Sequence, residues 1–338
     1  MQKYIEIFLN GYKGYADYLW REITFQIQPI WHNYFWMLIV VSGLFFLLEL
    51  VRPWRKEQAR FRKDFWMDFF YMFFNFFLFS LIIYNASSDL VVNLFNDGIR
   101  GITGVDFQAS NPMRNWPLWG ILLTGFVVRD FIQWWVHRLL HKSPFLWEFH
   151  KVHHSVAQMG FAAHLRYHWM ENVVYRTLEY IPLALLGIGL YDFFLIHIFT
   201  LAWGHYNHAN IQVSGKVTGG LVMGLFGLLI AGTGTDLGVL PVLGITLASA
   251  ALGAFVMGPY MLIIFNSPDM HIWHHAHDLP DDRRTGVNFG LTLAIWDYIW
   301  KTNYIPHDGR DIKLGFPGVE EYPATFVSQN LHGFAKKE

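Results

Sequence analysis

The chain has 338 residues, of which 53% are hydrophobic, 18% aromatic and only 15% charged, far below the roughly 25% charged of a soluble domain. That composition is a membrane protein's, and a formal charge of −1 argues against nucleic acid as a partner. Cysteine is absent, which excludes disulfides, iron–sulfur clusters, thiolate-bound zinc and thiolate-bound haem, and leaves nitrogen and oxygen ligands for any metal.

Residues 1–34 lack the apolar core and small-residue cleavage site of a signal peptide. Phe8, Tyr12, Tyr15 and Leu19 recur at helical spacing, and the region is expected to form an interfacial helix. Stretches approaching the roughly 20 apolar residues needed to span a bilayer follow at 35–51, 65–85, 118–136, 173–189 and 190–204, then 217–231 with 238–265 as a hairpin. Turns are expected at "GIGLYD" and "GTGTD". The expected fold is all-α, a polytopic transmembrane helix bundle. The loop "RPWRKEQARFRK" after the first span holds six Lys or Arg against one Glu, so the positive-inside rule places it in the cytoplasm. Counting crossings from there brings every histidine-dense stretch to the cytoplasmic face. No long-period repeat or low-complexity linker interrupts the chain, so 35–305 is read as one membrane domain. Residues 306–338 are read as a polar tail.

The histidines are not scattered. His137 and His141 are four apart; His150, His153 and His154 stand at i, i+3, i+4; His271, His274 and His275 repeat that pattern. Such spacings share a helix face, and neutral imidazole suits iron, zinc, copper or nickel. Eight imidazoles exceed the three or four that one zinc takes, so two metals are the natural count. His205 and His208, in "HYNH", enlarge the pool as ligands or as supports of ligands. His32, His164, His197, His277, His307 and His332 have no such company and are read as hydrogen-bonded or interfacial side chains.

The order HxxxH, HxxHH, a short HxxH pair and a final HxxHH resembles the fatty acid hydroxylase and sterol desaturase superfamily of integral membrane di-iron oxygenases. "HHSVAQMGFAAHLRYHWME" and "NSPDMHIWHHAHDLPDDRRTGVNFGLTLAIWDYIW" add to the likeness and are similar to its sterol desaturase branch. The resemblance implies two iron ions held by His137, His141, His150, His153, His154, His271, His274 and His275, with His205 and His208 beside them. It also implies dioxygen as co-substrate, an external electron donor, and a membrane lipid whose C–H bond is hydroxylated or desaturated: fatty acyl, sterol-like, alkylglycerol or carotenoid. His168 is placed by it in the pocket or behind a ligand. Asp130, Glu148, Glu171, Asp269, Asp278 and Asp297 are the carboxylates near enough in sequence to orient imidazole N–H groups, and Glu171 and Asp297 join His168 as expected catalytic residues.

Tryptophans at 134, 135, 147, 169, 203, 273, 296 and 300 flank the clusters, which places them near the membrane–water boundary. One departure from the family pattern is an apolar insertion over about 214–266. Its Gly220, Gly224, Ala250 and Ala254 at fourfold spacing suggest a closely packed hairpin.

Other chemistries fit less well. A zinc hydrolase lacks its HExxH, a metal transporter should carry ligands at mid-membrane, and a bis-histidine haem carrier needs isolated histidines facing one another.

Overall fold

The computed structural model describes residues 2–106, 112–188, 190–234 and 237–334. The expected turns at 187–192 and 232–236 each include residues outside this set. Twelve helices are named here: α1 (Gln2–Ile23), α2 (Tyr34–Val51), α3 (Phe65–Thr103), α4 (Leu118–Lys142), α5 (Pro144–His154), α6 (Trp169–Leu186), α7 (Leu190–His208), α8 (Gly215–Gly234), α9 (Val239–Ile264), α10 (Pro268–His274), α11 (Ile295–Ile299) and α12 (Phe326–His332). Among the described residues no strand forms; two isolated bridges, Phe265 to Leu293 and Ala276 to Leu314, tie loops together.

Among the described residues, four helices are long and apolar enough to cross a membrane: α2, α3, α8 and α9. This is an integral membrane protein of helical architecture. The stretches 118–136, 173–189 and 190–204 are not among the four. α4 and α6 carry buried Arg129, Asp130 and Glu179, which lower their apolarity. α3 also departs from expectation, running on to Thr103 where a loop was expected. Its second half is amphipathic and packs on α1, with Lys3 Nζ and Tyr4 Oη donating to Asp97 at 2.5 and 3.1 Å. Part of α1 thus lies against protein, with Leu19 buried beside Leu38 and Phe76.

α8 and α9 form the hairpin. A side chain on Gly219 would sit 2.3 Å from the Gly253 carbonyl oxygen, and Gly224 faces Ala250 at 3.1 Å. Backbones approach this closely only where side chains are missing. Val222, Met223, Leu229 and Met257 then seal the pair against Leu122, Phe126 and Ile196 of α4 and α7.

Ion pairs and amides organise the interior between the helices. Arg129 and Gln133 on α4 both donate to Glu179 of α6, at 3.1 and 2.7 Å. Arg129, Gln133, His137 and His141 are each four apart, so they form one polar stripe along α4 that ends in two imidazoles. The C-terminal segment folds back onto the bundle: Phe326 packs on Tyr71 of α3 and Phe334 on Phe149 of α5.

Candidate metal centre

Two short helices carry most of the site, and both begin with Ser-Pro. Ser143 caps α5 by accepting from Leu146 N at 3.3 Å, and Ser267 caps α10 by accepting from Met270 N at 3.4 Å. Proline follows each serine at the first helical position, where its missing N–H costs nothing. These caps fix where each HxxHH triplet begins to turn.

The triplets do not each serve one metal. His137, His141, His150, His154 and His274 form one group and His153, His208, His271 and His275 a second, the ligand atoms of each group lying within 4.8 Å of one another. At 3.6 residues per turn, i and i+4 differ by about 40° while i+3 lies about 60° to the other side. Each triplet therefore splits. α5 gives His150 and His154 to the first group and His153 to the second, whereas α10 gives His271 and His275 to the second and His274 to the first.

Tautomers follow from the partners. Nδ1 of His137, His153, His208 and His274 faces the carbonyl oxygens of Phe289, Arg166, Gly204 and Val287 at 2.8, 3.1, 2.8 and 2.7 Å. Nδ1 of His150 faces Glu171 Oε2 at 2.8 Å. Carbonyl and carboxylate oxygens only accept, so these five imidazoles carry their proton on Nδ1 and offer a lone pair at Nε2. Burial, reinforced for most of them by neighbouring imidazoles, pushes His150, His154, His271, His274 and His275 well below the ordinary histidine value and His153 down to about 3. They are neutral, as ligands must be.

The residues fit a metal on the protein's own hydrogen-bond accounting. Nε2 of His141, His150, His154, His274 and His275 is buried with no hydrogen-bond partner. Nε2 of His208 lies 3.3 Å from Nε2 of His153, although both atoms are lone-pair acceptors by the reasoning above. Two facing acceptors repel unless a cation stands between them.

The remaining site residues from the sequence fall elsewhere. His205 belongs to neither group: its Nδ1 lies 3.0 Å from His164 Nδ1 and its Nε2 2.9 Å from Ser42 Oγ. Three positions before α7's inward-facing His208, it looks toward α2 instead. His164, read as solitary from sequence, is its partner, and the His164 ring rests on Gly204, where any side chain would overlap it. The only sequence sign of His164's role was its place inside the "GFAAHLRYHWME" block. His168 reaches neither group; its Nε2 donates to Asn330 O at 2.9 Å and its Nδ1 accepts from Met170 N at 3.0 Å. Asp297 accepts from Trp134 Nε1, Phe289 N, Gly290 N and Thr302 Oγ1 at 2.6 to 3.0 Å, holding the loop whose Phe289 carbonyl orients His137. Asp130 does likewise for Thr292 N and Trp296 Nε1, at 3.1 and 2.9 Å. Glu148 pairs with Lys151 at 2.8 Å, Asp269 accepts from Gln212 at 3.2 Å and Asp278 pairs with His277 at 2.9 Å. Of the six carboxylates, Glu171 alone touches an imidazole of either group among the described residues.

Residues 122–228 match the family model described as fatty acid hydroxylase. Over 222 residues the chain is 26% identical to an ornithine lipid hydroxylase of Rhizobium tropici, covering 66% of this chain and 53% of that protein. Together these matches support the fatty acid hydroxylase/sterol desaturase superfamily. A shorter stretch of 75 residues is 36% identical to a very-long-chain aldehyde decarbonylase of Oryza sativa subsp. japonica, covering 22% of this chain and 25% of that protein. The chain thus spans about half the length of one curated relative and a quarter of the other. No solved structure matches it. The family model ends at residue 228, before α10, so the last histidine triplet joins the fatty acid hydroxylase core through the fold.

Proposed function

We propose that this protein is a di-iron lipid hydroxylase or desaturase that uses dioxygen on a C–H bond of a membrane lipid. The observation that carries the reading is the pair of imidazole groups, five and four strong, in which Nε2 of His141, His150, His154, His274 and His275 is buried with no hydrogen-bond partner. Zinc sites close at four ligands or keep three and a water. A five-imidazole group suits a six-coordinate ion with a vacant position, which favours iron over a zinc hydrolase.

His137, His141, His150, His154 and His274 would hold one iron, and His153, His208, His271 and His275 the other. When bound, the irons supply dioxygen activation and an oxidant strong enough for an unactivated C–H bond. The chain's own residues do the rest. Phe289, Val287, Arg166 and Gly204 hold the imidazole protons on Nδ1 through their carbonyls, and Glu171 does the same for His150 while placing negative charge beside a cationic centre. Asp297 and Asp130 fix the 289–293 loop. His168 braces the C-terminal segment against α5, a positioning role.

We further infer that the basic loop at 52–63 and both imidazole groups face the cytoplasm. The hairpin α8–α9 is read as packed alongside the centre without building it. The ornithine lipid and very-long-chain aldehyde named for the relatives support a lipid substrate.

Lipid profiling tests this reading. Membranes of cells with and without the chain, compared by mass spectrometry, are expected to differ by a lipid that gains one oxygen or loses two hydrogens. No changed lipid, with two irons per chain in the purified protein, would overturn the reading.

A further inference from the structure

Hydroxylation of R–H by dioxygen to R–OH and water consumes two electrons and two protons beyond what substrate and dioxygen provide, and desaturation, which releases two waters, consumes the same. Those electrons come from a donor other than substrate and dioxygen, and with no cysteine the described chain offers no iron–sulfur cluster to relay them. This inference rests on the proposed function and concerns where that donor binds.

The basic loop 52–63 is bolted to the metal-bearing elements. Trp54 N and Arg55 N donate to the Asn210 backbone and side-chain oxygens at 2.9 and 2.7 Å, two residues beyond His208. Arg55 Nη2 and Gln58 Nε2 both donate to Met159 O at 2.8 Å, five residues beyond His154. Trp54 is buried among Val156, Ile272 and Trp273, and Ile272 follows His271 directly. Arg55 and Arg310 lie 5.4 and 5.8 Å from the Trp54 ring. Between loop and bundle opens a cavity of about 420 Å³ whose wall includes Lys56, Arg310, Gln158 and Ile272. Its floor is one peptide bond from a ligand of the second imidazole group. Arg52, Lys56, Arg60 and Lys63 are exposed and make no ion pair among the described residues.

We propose that this basic rim is the docking surface of the electron donor, a small one-electron carrier protein with an acidic face that seats over the cavity and passes its electrons, one at a time, toward His271. Exposed cations beside a recess, in excess over the Glu57 and Asp311 that also line it and over the Asp308 that pairs with Arg310 at 3.4 Å, steer an oppositely charged partner and speed its encounter. Of the two cavities beside the loop, this one is lined by Ile272, next to His271, whereas the other reaches Asn210, two residues beyond His208.

The test uses the full chain, loaded with two oxidised irons, in phosphatidylcholine nanodiscs without dioxygen. A reduced acidic [2Fe–2S] ferredoxin is the probe, and its oxidation is followed by stopped flow. The rate is expected to fall as salt is raised, and the Lys56→Glu/Arg310→Glu variant to lose about tenfold at low salt, with iron content and reduction by dithionite unchanged. An unchanged ferredoxin rate in that variant would overturn the proposal. So would a loss seen only when phosphatidylglycerol is added to the discs, because the cations would then serve the bilayer. Failure of the lipid-oxidation reading shows separately, as dithionite and dioxygen yielding no oxidised lipid from protein that still accepts electrons from ferredoxin.

Discussion

Five imidazoles of the centre, His137, His150, His153, His208 and His274, are specified twice, once by the Nε2 that faces inward and once by the Nδ1 that faces a fixed acceptor. Replacing the inner function is the more severe change. His153→Ala and His274→Ala strike different groups, and each is expected to lower iron from two toward one per chain and to abolish lipid oxidation; elemental analysis beside product formation measures both. His205→Ala is expected to keep both irons, because its ring contacts His164 and Ser42 instead. Loss of iron in that variant would show that the His164–His205 pair reaches the second group after all. Replacing an outer function is milder. Glu171→Leu removes the acceptor that orients His150 and is expected to weaken iron binding by about 10- to 100-fold, measured by chelator competition. At this scale the sequence was informative in part. Helical spacing reveals that histidines share a face, but not which of two ions each meets, because that depends on how α5 and α10 are aimed. Nor does spacing show that Asp297 spends its carboxylate on four donors of its own neighbourhood. Those partners lie up to 163 positions away.

The helices were legible wherever apolar periodicity and end signals agreed. The small-residue stripes of α8 and α9 and the helical spacing of apolar residues in α1 read directly from the chain. The extension of α3 to Thr103 was hidden by its polar residues 85–89, "NASSD", which read as a loop until α1 is there to cover them. The hairpin makes a sharp prediction of its own. Gly253→Leu places a side chain 2.1 Å from the Gly219 carbonyl oxygen, backbone that cannot yield as a flexible side chain would. The variant is expected to lose roughly 1–3 kcal/mol or more, read as a lower midpoint of thermal unfolding in detergent. Iron content per folded chain should stay at two if the hairpin only packs alongside the centre. A variant that is folded yet iron-free would make the hairpin part of the site.

At the scale of the molecule, four helices among the described residues qualify as membrane spans and the basic loop follows the first of them. Single cysteines at Gln58 and at Thr103 test the orientation, since the native chain has none to interfere. An impermeant maleimide added outside intact cells is expected to leave position 58 unlabelled; labelling there would reverse the topology. The split triplets carry a consequence at this same scale. α5 and α10 are each shared between two ions, so neither helix can rotate or slide to suit one ion without disturbing the other. Loading should then be all-or-none: the first ion aligns both helices, and the second enters a site already shaped. Titration of the apo-protein with ferrous iron, or with cobalt as a visible substitute, should give a sigmoidal curve with few singly loaded molecules in native mass spectra. An organism short of iron would hold such an enzyme as fully armed and fully empty copies, with hardly any stock of half-loaded, uncoupled ones.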